Sequence, residues 1–125
     1  MNTIPEIVKN EWNNKQAAVV LTTVSGEGVP NSIYAIQVAL FGENKILVAN
    51  NKFKKTLENI EVCQEATILF LTNEMKSYQL KGNITYKTEG EEFDDMKKWN
   101  RADLPGFGVA IIEVTEVYNG ATKLL

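Results

Sequence analysis

Lysine and hydroxyl side chains concentrate in one stretch, Ile46-Leu47-Val48-Ala49-Asn50-Asn51-Lys52-Phe53-Lys54-Lys55-Thr56-Leu57-Glu58-Asn59. Its apolar first part reads as a strand ending at Asn50. Phe53, Leu57 and Ile60 then recur at helical spacing, which predicts a short helix over 53–61. A helix N-terminus carries unpaired N–H groups and about half a positive charge. Lys52, Lys54, Lys55 and Thr56 at that point make a phosphate cradle. No glycine-rich loop accompanies them, so a solvated basic patch on a short helix is the competing reading. Three other places carry polar chemistry. Asn31-Ser32-Ile33-Tyr34 puts a polar pair inside an apolar strand, as a site wall or as a solvent-facing edge. Gln79 has an amide that could meet a heteroaromatic edge or simply face water. Trp99 ends an amphipathic helix and fits core, interface or ligand stack.

Composition removes several kinds of chemistry. The chain has no histidine and one cysteine, Cys63. That excludes His-based triads, His acid–base catalysis, His metal ligands and an internal disulfide. Cys63 reads as a small buried or half-buried filler residue, with a reactive thiol as the alternative. The acidic run Glu89, Glu91, Glu92, Asp94 and Asp95 reads as a solvated helix start rather than paired catalytic carboxylates. No catalytic side chain and no metal site is expected, so any chemistry would come from a cofactor. A net charge of −3 has the wrong sign for gripping nucleic acid. All basic residues but Arg101 are lysine, so an anion site would rely on lysine and backbone N–H groups.

The elements that must position these residues follow from pattern. A length of 125 residues suits one domain, 1–125. No apolar run is long enough for a membrane span. Glu6 and Glu11 interrupt the opening segment where a secretory signal would be apolar, so a cytoplasmic location is expected. Thr3-x-x-Glu6 reads as a capping box for a helix over 4–14. Strands are expected at 17–24, 30–41 and 45–50, forming a meander, then at 66–72, 77–87 and 108–118. Gly82 marks a bulge or a close backbone approach. A third helix spans 89–101. Six strands with short interspersed helices suggest a mainly β, closed or split antiparallel barrel.

Taken in order, these segments resemble the FMN-binding split-barrel family related to pyridoxamine 5′-phosphate oxidase, and most of all its small dimeric FMN-binding proteins. The likeness covers nearly the whole chain: AVVLTT, SGEGVPN, the hairpin at GEN, ILVANNKFKKTLENI, YQLKGNITY and the C-terminal strand. ILVANNKFKKTLENI is the most specific part. The resemblance implies a six-stranded Greek-key split barrel with FMN as cofactor. It implies that Lys55 and Thr56, with Lys54 beside them, hold the flavin phosphate. Val48, Ala49 and Asn50 would pass the isoalloxazine ring. Asn31, Ser32 and Ile33 would reach the phosphate and the pyrimidine side, with Gln79 at a polar position on the fifth strand. In the family two subunits build each site, so Trp99 and Leu125 would come from the partner of a homodimer. The oxidase itself recognises its substrate with further Arg and His residues, so vitamin B6 oxidation is not expected here.

Three functions remain open on these residues. The chain could be a flavin-dependent oxidoreductase or small electron carrier with an unknown redox partner or small-molecule substrate. It could hold FMN or another phosphorylated ligand without turnover. It could also be a cofactor-free barrel that binds a protein. The tail ends in Leu124-Leu125, which would fray, or would pin down with Leu125 over the partner's flavin.

Overall fold

A computed structural model describes residues 2–125 of the chain. Eight strands and three helices follow in the order α1 (Glu6–Trp12), β1 (Val19–Val24), β2 (Pro30–Ala35), β3 (Val38–Phe41), β4 (Lys45–Asn50), α2 (Lys55–Val62), β5 (Glu65–Leu71), β6 (Ser77–Lys87), α3 (Glu91–Trp99), β7 (Gly108–Asn119) and β8 (Thr122–Lys123). The main path across the sheet is β2-β1-β5-β6-β7-β4-β3, with β8 paired to β7. Every pairing is antiparallel. β1 lies beside β5 and β4 beside β7, the non-sequential neighbours of a Greek-key path.

The expected 30–41 strand is broken at Ile36-Gln37. Its first half pairs with β1 and its second half with β4, so the two halves are opposite edges of one curled sheet. The anticipated three-strand meander is therefore two hairpins joined by that break. Counting the broken strand once leaves six long strands, and the break is the split in the barrel. α1 is tied at one end to the β3–β4 turn, where Ile4 N–H donates to Glu43 O at 2.9 Å. Just past its other end, Gln16 N–H donates to Leu71 O at 2.8 Å.

Alternation on the strands fills the barrel. Val19, Leu21, Ile46, Val48, Ile68, Phe70, Leu80, Ile84, Ile112 and Val117 are buried, with Val8 and Trp12 of α1 among them. A smaller cluster on the other face of β4 and β7 joins Leu47, Ala49, Val109 and Ile111 to Met96 of α3. Gly82 sits at the register shift between β6 and β7. A Cβ there would lie 2.0 Å from Glu113 O, so the close approach requires glycine.

Helix ends differ from expectation for local reasons. The capping box at Thr3 does not form: Pro5 is the N-cap residue of α1 and no side chain caps it. α3 begins only at Glu91 because Gly90 precedes it at φ +102°, and it ends at Trp99 because Asn100 is extended. Glu92 anchors α3, with Lys45 Nζ at 3.0 Å and Lys87 Nζ at 3.2 Å. Those two lysines hold its buried carboxyl down at about 2.

Candidate functional site

β4 ends at Asn50, and the chain must turn there to enter α2. The Asn50 side chain fixes the turn: its Oδ1 accepts from Phe53 N–H at 2.7 Å and its Nδ2 donates to Tyr86 Oη at 2.7 Å. Asn50 is buried, so both bonds work in a low dielectric. Phe53 is thereby held against the core, and Lys54 and Lys55 start the next helix. The N-cap residue of α2 is Lys54, with no side-chain cap. The first N–H groups of α2 therefore lack a capping side chain, and the exposed Lys52, Lys54 and Lys55 surround them. Cations at this end oppose the helix dipole and cost a few tenths of a kcal/mol each. Folding alone does not favour that placement.

α2 is pinned from below. Asn59 Nδ2 donates to the buried Thr23 Oγ1 at 3.1 Å, and Thr56 Oγ1 accepts from Asn31 Nδ2 at 3.5 Å. Between α2 and the free side of β2 lies a cavity of about 560 Å³, within the usual range for small-molecule sites. Lys52, Lys54, Lys55, Thr56 and Asn31 line one part of it. Ile33, Ala35, Ala49 and Phe53 provide apolar wall, and Tyr34 and Ile36 also face it. Gln37, Asn51, Arg101 and Leu104 complete the lining, which includes no carboxylate. Tyr34 and Ile36 are 79% and 60% exposed, large apolar surfaces left without cover. Arg101 pairs with Asp103 through two bonds of 2.8 and 2.9 Å. This pair holds the exposed Asp103 carboxyl below the ordinary carboxylate range.

The structure brings Asn31, Ile33, Ala49, Lys54, Lys55 and Thr56 to the one cavity. Asn50 stands behind it as the turn-fixing residue, and Val48 is fully buried in the barrel. Ser32 points to the other face of β2, where its hydroxyl lies 2.7 Å from that of Thr22. Trp99 packs on the smaller core cluster and donates Nε1–H to Asp95 at 3.0 Å. Gln79 pairs with Tyr118, whereas the cavity end of β7 is Gly108 beside Asn50. Ten strand residues separate those points, about 30 Å. Leu125 is at the far end too, exchanging main-chain bonds with Val117, so the tail is ordered and packed on the core. Gln79 and Leu125 thus do not reach the cavity of their own chain.

Several lining residues carried little sequence signal. Ala35, Ile36 and Phe53 read as ordinary core, and Gln37 and Leu104 sit in unpatterned segments. Asn51 was signalled only by its place between a strand end and the lysines, and Arg101 by being the lone arginine. Among the described residues, no group of three or more His, Cys, Asp or Glu side chains is placed to hold a metal ion. None of the helices is long and apolar enough to cross a membrane.

Comparison with known proteins bears on this geometry. The family model of pyridoxamine 5′-phosphate oxidase matches residues 6–120. An uncharacterized protein of Methanocaldococcus jannaschii is 33% identical over 119 residues, which are 91% of this chain and 78% of the relative. Among solved structures, HupZ of Group A Streptococcus superposes with a TM-score of 0.81 at 26% identity, covering 93% of each chain. An FMN-binding protein of Syntrophomonas wolfei superposes with a TM-score of 0.74 at 19% identity, over 90% of this chain and 94% of the other. At that identity the likeness is one of fold.

Proposed function

Because the chain belongs to the pyridoxamine 5′-phosphate oxidase family, we propose that it is a homodimeric FMN-binding flavoprotein working as an oxidoreductase or small electron carrier. One observation carries the reading: a cavity of about 560 Å³ has an uncapped, lysine-surrounded helix start on one side and an apolar wall on the other. A phosphate joined to a flat heteroaromatic ring needs that combination. Lys54, Lys55 and the first N–H groups of α2 hold the phosphate, with Lys52 adding charge. Thr56 and Asn31 close this end from below. Ile33, Ala35, Ala49 and Phe53 flank the ring. β2 is a sheet edge on its side away from β1, so its free main-chain groups offer hydrogen bonds to the ring's pyrimidine side. FMN supplies the redox chemistry when bound. The chain binds the flavin, orients it and keeps water from one of its faces.

The exposed Tyr34 and Ile36 support a second subunit over the cavity mouth. In that assembly Gln79, Trp99 and Leu125 come to the flavin from the partner. The resemblance puts the oxidase's substrate recognition on further Arg and His residues, and with one arginine and no histidine here, vitamin B6 oxidation is not part of this reading.

The test is an absorption spectrum of the purified protein, followed by titration of stripped protein with FMN. Flavin bands, or saturable quenching of FMN fluorescence, support the reading. A protein that is colourless as purified and leaves FMN fluorescence unchanged refutes it. Reduction and reoxidation with candidate donors then separates an electron carrier from a storage module.

A further inference from the structure

Segment 100–107 crosses the far side of the cavity and is paired to no strand before Gly108. It carries Arg101 and Leu104, both lining the cavity. Side chains hold it. At its base Lys97 Nζ donates to Pro105 O at 3.1 Å and Gly106 O at 3.3 Å. Arg101 N–H donates to Gln37 Oε1 at 2.9 Å, and Phe107 N–H to Asn50 O at 2.9 Å.

A further set of side-chain bonds ties this strap segment to Asn51. Asn51 Nδ2 donates to Asn100 Oδ1 at 2.9 Å, and Asn100 Nδ2 returns a bond to Asn51 Oδ1 at 3.0 Å. Asn51 Oδ1 also accepts from Gly106 N–H at 2.9 Å. Gly106 has φ +54°, and a Cβ there would lie 2.9 Å from Asn100 Nδ2 and 3.0 Å from Lys97 Nζ. That backbone conformation favours glycine, and a larger residue there would push on the Asn100 amide. Asn51 itself lies between Asn50, which fixes the turn, and Lys52, Lys54 and Lys55.

We propose that the Asn51–Asn100 amide pair is a coupling element, tying the lysine-bearing loop to the strap so that an anion held by Lys54 and Lys55 fixes Arg101 and Leu104 on the opposite wall. Asn51 and Asn100 act as positioning residues. An anion at the lysines narrows the freedom of the loop, and the reciprocal bonds pass that restriction to the strap. The inference rests on the preceding section only in taking the lysines as the phosphate end.

Arg101 is the only arginine, so an arginine-specific protease cuts the chain only within the strap. The nicking rate, followed by mass spectrometry, reads strap opening without any flavin. Inorganic phosphate is the probe, with chloride at equal ionic strength as control. In the wild type, phosphate should slow nicking severalfold. Asn100→Ala removes two of the three side-chain bonds at Asn51, and should raise the phosphate-free rate about tenfold and abolish protection. Asn100→Asp keeps an acceptor for Asn51 Nδ2 and should restore part of it. Lys55→Ala leaves Lys52 and Lys54 in place, and should move the protection to severalfold higher phosphate concentrations. A merely structural role for the pair would speed nicking by the same factor with and without phosphate. That result, or phosphate protection surviving in Asn100→Ala, or no protection in the wild type, would overturn the proposal. Failure of FMN to bind would refute the flavin reading alone, because no arm of this experiment contains flavin.

Discussion

Replacing Lys55 by alanine separates the flavin phosphate from everything else the site does. Lys55 is the first residue of α2 and is exposed, beside Lys54 at the N-cap. A hydrogen bond to a charged group contributes about 1.5–3 kcal/mol. Solvent screening at an exposed position, and the two lysines that remain, bring the expected loss to about 1–2 kcal/mol. That is roughly a 5- to 30-fold rise in the FMN Kd. Riboflavin has the same ring without the phosphate, so its affinity should not change. Stability should move in the other direction. A lysine at the positive end of a helix dipole is unfavourable, so its removal should leave the ligand-free protein as stable or a few tenths of a kcal/mol more so. Fluorescence quenching with FMN and with riboflavin gives the two affinities, and thermal unfolding without ligand gives the third quantity. Raising the salt from 0.1 to 1 M shortens the screening length from about 10 to about 3 Å, and should narrow the gap between wild type and variant. Equal loss of riboflavin and FMN, together with a lowered melting temperature, would make Lys55 a structural residue and refute the phosphate assignment.

Glu92→Gln should destabilise the protein by about 1–2 kcal/mol at neutral pH, the ion pairs being discounted for two half-exposed lysines. Because the folded-state carboxyl sits near 2 rather than 4.5, that contribution is present above pH 4.5 and fades as pH falls towards 2. Denaturant melts of wild type and variant should converge over that window, and a constant gap would contradict it. Gly108→Ala would place a Cβ 2.2 Å from Tyr86 Oη, displacing the ring that Asn50 bonds. A cost of about 1–3 kcal/mol should come with weakened FMN binding, and an unaltered titration would show that the Asn50 turn tolerates the shift. Deleting Leu124 and Leu125 removes two half-buried side chains from the core, worth roughly 1–3 kcal/mol together. With Leu125 over the partner's flavin, the midpoint potential and the oxygen reaction rate should change too. If both stay fixed in a folded dimer, Leu125 is only packing. Light scattering should give a dimer, and a monomer that binds FMN would remove the partner's role.

Period and turn residues made most of the barrel legible. The strands at 45–50 and 77–87 have the anticipated limits because side-chain alternation and a following Asn or polar turn coincide there. Ile36-Gln37 gave no warning, since neither Gly nor Pro marks the break. It arises because the two halves of one segment find different partners, β1 and β4. The capping box failed for a local reason: with Thr3 as N-cap, Ile4 would have to be helical, which the following Pro5 disfavours, so the helix starts only after Pro5. The lysine side of the cavity was legible because strand end, loop and helix start are contiguous. The opposite wall was not, because Gln37 and Leu104 meet Ala49 only through the pairing of β4 and the docking of α3. Cavity residues from distant segments leave no spacing to read.

The broken strand also bears on solubility. A sheet edge with unpaired main-chain groups invites a foreign strand, and native proteins protect such edges with brevity and lysine. The free side of β2 is such an edge, only six residues long, and Lys52, Lys54 and Lys55 share the cavity beside it. A second chain approaching to pair there would have to come in past three ammonium groups. The charges that would hold a phosphate therefore also guard the edge when no ligand is bound. Replacing all three would leave the opening least protected at the moment it is empty, during folding and before any cofactor arrives.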